Sequence, residues 1–171
     1  MTNRSLSRHV RHLFHPRWLV SRAFPRPVLD RVTEAVAASE RRHLGEIRFV
    51  VEGALEPTHL LRGVTARERA VQVFSDLRVW DTEANNGVLI YLLLADRDVE
   101  ILADRGFNGK VPLQEWESIC REMEAHFGRG EFEAGALAGI ARVDALLRGL
   151  YPADGLGHAN PNELPDAPAL I

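Results

Sequence analysis

Residues 80–107 constrain the fold of this chain more than any other stretch. They read Trp80-Asp-Thr-Glu-Ala-Asn-Asn-Gly87, then VLIYLLLADRDVEILADRGF. Val88 to Ala95 is apolar without interruption. An apolar run of that length between polar breaks is a buried strand. Asp96-Arg97-Asp98 breaks it, and a half-apolar run from Val99 to Ala103 follows. Two such runs joined by a few polar residues predict a β-hairpin. With Asp96 and Arg97 as the turn, Ala95 opposes Asp98, Leu92 opposes Ile101 and Leu89 opposes Asp104. The hairpin then returns Asp104 and Arg105 to the polar lead-in, beside Asp81, Glu83, Asn85 and Asn86. That gathering of charged and amide groups at one sheet edge is the strongest site candidate in the sequence. A one-residue slip would turn each side chain to the opposite face.

The chain has 171 residues, which suits one domain with extensions. Such a chain buries enough surface to fold without disulfides or metal. Cys120 is the single cysteine, so no disulfide framework exists. No apolar stretch reaches the ~18–20 residues of a membrane-spanning helix. The basic start carries no apolar core ahead of a small-residue cleavage site, so a cytoplasmic protein is expected. Net charge is −3 and unevenly spread. Arg4, Arg8, Arg11, Arg17, Arg22 and Arg26 fall in residues 1–26, which hold no acid. The remainder therefore carries about −9, the overall −3 less these six positive charges. A basic arm on an acidic body points to an interaction segment. It argues against nucleic acid, whose phosphates the body would repel.

Three segments follow: a basic amphipathic arm (residues 1–24), an α/β domain (25–150) and an extended or disordered proline-rich tail (151–171). Residues 2–20 place Leu6, Val10, Leu13, Phe14 and Trp18 at helical spacing. Two readings of that helix stand side by side. It lays its apolar stripe on the domain's own core, or it docks on an anionic membrane surface or an acidic partner through Arg4, Arg8, Arg11 and Trp18. His9, His12 and His15 recur every third residue and drift around a helix, so they do not form a metal site. A helix is predicted over 28–43, with Leu29, Val32, Val36 and His43 on one face. Ile47, Phe49 and Val51 alternate within a strand over 46–52. Residues 53–63 read as a loop. Thr65-Ala-Arg-Glu68 is a capping box that opens a helix running to about Val79. Strand, helix, strand implies a right-handed crossover and two parallel strands, to which the hairpin adds an antiparallel third. The expected fold class is α/β: a three-layer α/β/α sandwich on a small mixed sheet. Two more helices are expected, one with Trp116, Ile119, Cys120, Met123 and Phe127 inward, the other running from Glu131 to Leu150. Gly135 and Gly139 on the last helix allow close packing, and Cys120 reads as a core residue.

No G-x-S-x-G, P-loop, H-E-x-x-H or C-x-x-C pattern occurs. Asp81, Glu83 and Asn85 alternate like the first ligands of a calcium loop. Asn86 and Leu92 occupy the positions that need glycine and a bidentate glutamate, so that motif fails. Asp81, Glu83 and Asp104 remain a looser set of hard-cation ligands for calcium or magnesium, although folding requires no cofactor. The alternative is that these groups cap backbone and pair with Arg105.

With these residues in hand, the chain resembles the TPM domain family, which includes thylakoid-lumen phosphatase-like proteins. The match lies in Asn85-Asn86-Gly87-Val88-Leu89-Ile90, the Asp96-Arg97 turn, Val99 to Gly106, and Gly130-Glu-Phe-Glu-Ala-Gly135. Phe24-Pro25, Ser39 to His43, Glu46, and Arg78 to Thr82 look closest to a small soluble bacterial branch. The resemblance covers residues 24–150 and implies an α/β/α sandwich. It also implies three candidate roles. One is an accessory or partner-binding domain at the inner membrane face, with membrane-associated TPM or LemA-like proteins as partners. The others are a weak metal-assisted acid phosphatase and a non-catalytic calcium- or magnesium-binding domain. The chain lacks the signal peptide, spanning segment and acidic lead-in of the common family form.

Overall fold

Two of the four strands among the described residues form the expected hairpin, with a pairing two residues away from the expected one. The structure is a computed structural model that describes residues 3–16, 18–153 and 160–171, with side chains from Ser7 onward. In chain order the elements are α1 (Asn3–Leu13), α2 (Trp18–Ala23), α3 (Arg26–Glu40), β1 (Glu46–Glu52), α4 (Pro57–Leu61), α5 (Ala66–Asp76), β2 (Gly87–Leu93), β3 (Asp98–Ala103), α6 (Leu113–Gly128), α7 (Phe132–Leu150) and β4 (Ala169–Leu170). The sheet order is β3-β2-β1-β4.

In the hairpin, Leu93 opposes Asp98, Leu92 opposes Val99 and Ile90 opposes Ile101. The expected Leu92–Ile101 and Leu89–Asp104 pairs are therefore corrected. The loop holds four residues, Leu94 to Arg97, with Arg97 in the left-handed region at φ +54°. Leu94 and Ala95 meanwhile donate to Glu52 O and Gly53 O at the end of β1. A shift of two residues preserves the face of every side chain, so the sheet's two sides are as expected. β1 and β2 pair in parallel, Glu46 with Gly87 through Glu52 with Leu93.

Alternation on the strands feeds two cores. Ile47, Phe49, Val51, Val88, Ile90 and Leu92 face α3, α6 and α7, where Val32, Val36, Ile119, Met123, Ile140 and Val143 are buried. Val50, Leu89, Tyr91 and Leu93 face α5 and α4 through Ala70, Val73 and Leu60. This is an α/β sandwich with helices on both faces. α6 and α7 approach closely because Gly139 lies over Met123, where a Cβ would collide with the thioether. Burial pushes the Cys120 thiol up to about 12, which fits a packed residue.

Several boundaries differ from expectation. The single arm helix is two, α1 and α2, split at Pro16, which lacks the N–H needed to continue. α3 starts at Arg26 with proline in its first turn and stops at Glu40, leaving His43 buried beyond its end. The expected 53–63 loop contains the short α4. Thr65 and Glu68 do form the capping box. Residues 160–171 lie along the body, where Leu164 is buried. There β4 pairs in parallel with β1 at Val50 and Val51. Arg48 Nη1 holds this segment by donating to Pro165 O at 2.7 Å and Ala167 O at 2.6 Å.

Candidate functional site

At the open end of the hairpin, part of the expected polar group comes together. Asp104 N–H donates to Gly87 O at 2.9 Å and Gly106 N–H to Asn85 O at 3.0 Å. Arg105 Nε donates to Asn85 Oδ1 at 2.6 Å. Asp104 Oδ1 accepts from the N–H of Arg105 at 2.6 Å. Asn86 turns inward, 1% exposed, and its Nδ2 donates to Leu44 O. Gly87 and Gly106 are demanded by packing: a Cβ would strike Val79 O at the first and Asn85 O at the second. Asp81 and Glu83 stand exposed outside this corner. The Glu83 N–H instead donates to the Glu163 carboxylate at 3.0 Å. Among the described residues, no three His, Cys, Asp or Glu side chains are grouped to hold a metal ion.

A second acidic group lies where no sequence pattern points to one. Glu40 ends α3, Glu46 begins β1, and Asp166 comes from the C-terminal segment. Glu40 Oε1 accepts from Ile47 N–H at 2.8 Å and Glu46 Oε2 from Leu164 N–H at 3.0 Å. Burial pushes Glu40 up to about 9, partly opposed by the Ile47 N–H and reinforced by Glu46 and Asp166, so it is neutral at physiological pH. These carboxyls fasten the last residues to the sheet. Nearby, Ser39, His43 and Asp144 have the composition of a catalytic triad without its geometry. Ser39 Oγ donates to Asp144 Oδ1 at 3.1 Å and lies 2.7 Å from His43 Nε2. The serine bridges the other two, all three are buried, and Arg42 and Arg148 also pair with Asp144. The network ties α3 to α7.

The turn of the hairpin receives the arm. Arg8 Nε donates to Asp96 Oδ2 at 2.8 Å, and Arg11 pairs with Asp96 Oδ1. His12, 4% exposed, accepts the Leu55 N–H at Nδ1, 3.0 Å away. That bond requires a lone pair on Nδ1 and leaves the proton on Nε2, 3.0 Å from Asp96 Oδ2. Burial alone would raise the Asp96 carboxyl. Hydrogen bonds from His12, Arg8 and Arg11 overcome it and hold the group well below the usual carboxylate range.

α1 thus turns its basic side inward and its apolar side outward. Arg8, Arg11 and His12 are spaced i, i+3, i+4, and so are Val10, Leu13 and Phe14, two residues on. Two residues turn a helix by about 200°, so seating the first triplet exposes the second. Val10 is 49% exposed, Leu13 60%, Phe14 78%, and Trp18 on α2 58%. The expectation that this stripe packs on the domain's own core is corrected. Of the expected contact residues, Arg8 and Arg11 are engaged by Asp96, Trp18 is open, and the Arg4 side chain lies outside the described part.

These features define a small α/β sandwich domain with a helical arm latched to its hairpin tip. The TPM domain model matches residues 23–146, and the chain belongs to that family. A solved relative is the BA42 protein of the psychrophilic bacterium Bizionia argentinensis, determined by NMR. It is 26% identical with a TM-score of 0.72, over 85% of this chain and 93% of that one. No curated protein matches. Among the described residues, no helix is long and apolar enough to cross a membrane.

Proposed function

We propose that this chain is a TPM accessory domain that docks on an anionic membrane surface at the inner membrane face through its N-terminal arm. One observation carries the reading: Val10, Leu13, Phe14 and Trp18 form an exposed apolar ridge on a segment fixed to the body by its other side. Burying a large apolar side chain contributes about 1.5–3 kcal/mol. Four such residues suffice for the reversible attachment typical of an interfacial helix. Latching the arm through Asp96 presents the ridge in an ordered state and lowers the entropy cost of docking.

Co-sedimentation with liposomes tests this. The full-length protein is expected to pellet with vesicles, and Phe14→Ser with Trp18→Ser to stay in the supernatant. Equal, negligible pelleting of both removes the membrane and leaves the ridge to a protein partner, for which membrane-associated TPM or LemA-like proteins are the candidates. The phosphatase reading would use Asp81, Glu83, Asn85, Asp104 and Arg105. Arg105 Nε is engaged by Asn85 and one Asp104 oxygen caps the turn, which favours the docking reading over one that needs those groups free.

A further inference from the structure

Beside the ridge, α2 and the hairpin tip enclose a cleft of about 390 Å³, lined by His15, Leu19, Arg22, Leu94, Arg97 and Phe132. A second groove of about 530 Å³ adjoins it across Ala23 and Phe132 and runs on past Val28 and Leu137. The charges around the cleft do not cancel. Arg22 has no ion pair or hydrogen bond among the described residues. Arg97 donates only to a carbonyl, Gly128 O, at 3.0 Å. Three neighbouring acids are engaged elsewhere: Asp96 by Arg8 and Arg11, Glu131 by Arg129 and His126, Glu133 by Arg31. The Nε2 of His15 is buried with no partner. Two guanidinium groups without counter-charges therefore border a cleft whose other walls are mostly apolar.

Guanidinium groups match the oxygens of a phosphate and bind it by charge-assisted hydrogen bonds. The ridge adjoins the cleft along the same short helix: Trp18 faces out, and the next residue, Leu19, lines the cleft. Apolar side chains that enter an acyl layer thus sit within one turn of cations at headgroup depth. An acidic peptide would answer the arginines but not the ridge beside them. We propose that the cleft is a headgroup subsite, in which Arg22 and Arg97 bind the phosphate of an anionic phospholipid while Phe14 and Trp18 enter the bilayer next to it. This rests on the docking reading above and adds selectivity to it. The chain's own net charge of −3 opposes any diffuse attraction to an anionic surface, so a preference for one must be local.

The test uses the full-length protein and two vesicle types, phosphatidylcholine alone and phosphatidylcholine with phosphatidylglycerol. Wild type is expected to partition onto the anionic vesicles more strongly by about tenfold or more, since each arginine near such a surface contributes several-fold. Arg22→Ala with Arg97→Ala should bring that ratio close to one while binding to phosphatidylcholine persists. Arg41→Ala with Arg121→Ala removes the same charge far from the cleft and should leave the ratio unchanged. Circular dichroism and melting confirm that each variant is folded. Equal losses from the two arginine pairs would overturn the subsite in favour of diffuse charge. A wild-type ratio of one would overturn it together with the anionic preference, while attachment through the ridge would stand. Failure of wild type to bind either vesicle would remove docking itself, and the subsite with it.

Discussion

The two ends of one hairpin put similar residues to different ends. At the open end, Arg105 meets Asn85 and Asp104 caps the following turn, over glycines that bring the backbones into contact. Most of the polar groups there bond one another, leaving Asp104 Oδ2 and Asn86 Oδ1 buried without a partner among the described residues, and the result is a sealed corner. At the turn end, Asp96 gathers Arg8, Arg11 and His12. Satisfying those charges turns a helix over and leaves its apolar side in water. Hydrogen bonding stabilises the first end and ion pairing the second, but only the second creates a surface in need of a partner. A cluster of charged residues in a sequence is thus a weaker guide to function than whatever the cluster displaces outward.

The contrast predicts where substitutions hurt. The largest effect belongs to the sealed corner: Gly87→Ala must move the Val79 backbone and is expected to cost about 3 kcal/mol in urea unfolding. A cost under about 1 kcal/mol would show that the corner is looser than its geometry. Next comes the latch. Asp96→Asn leaves Arg8 and Arg11 without their counter-charge and should cost about 2 kcal/mol, with faster proteolysis between residues 8 and 22. Because the folded Asp96 carboxyl titrates below its unfolded value, its contribution is present above pH ~4 and is lost as pH falls further. Acid should therefore release the arm before the corner opens, as seen in amide exchange.

Glu40 has the opposite sign. Its folded pKa is raised to about 9, so its contribution is fully present below ~4.5 and is lost as pH rises toward 9. Glu40→Gln should flatten the stability–pH curve over that window, and an unchanged slope would show the group is charged in the fold. Smallest of all, Asp81→Ala should change stability by less than about 0.5 kcal/mol, being an exposed residue. If calcium or magnesium instead gives calorimetric heat that disappears in Asp81→Ala with Asp104→Ala, the sealed corner is an ion site after all.

Much of this architecture was legible before any coordinates. The apolar run from Val88 and the alternation of Ile47, Phe49 and Val51 specify which faces are buried, because a strand has only two. The hairpin's loop length was not legible, since pairings two residues apart bury the same side chains. The arm misled for a similar reason. Its two triplets are equally good helix faces, and the apolar one loses only because Asp96, more than eighty residues away, holds the other. Glu40, Glu46 and Asp166 were invisible as a group because Asp166 reaches them through a two-residue strand with no pattern of its own.

That short strand has a consequence for handling the protein. It covers the hydrogen-bonding flank of β1, and Arg48 clasps the residues just before it. Trimming the chain after Pro165 would uncover a row of amides and carbonyls beside an apolar core, a template on which a second molecule could add its own strand. Shortened versions should therefore self-associate with rising concentration, and a bulky C-terminal tag risks the same outcome by prising the cover loose.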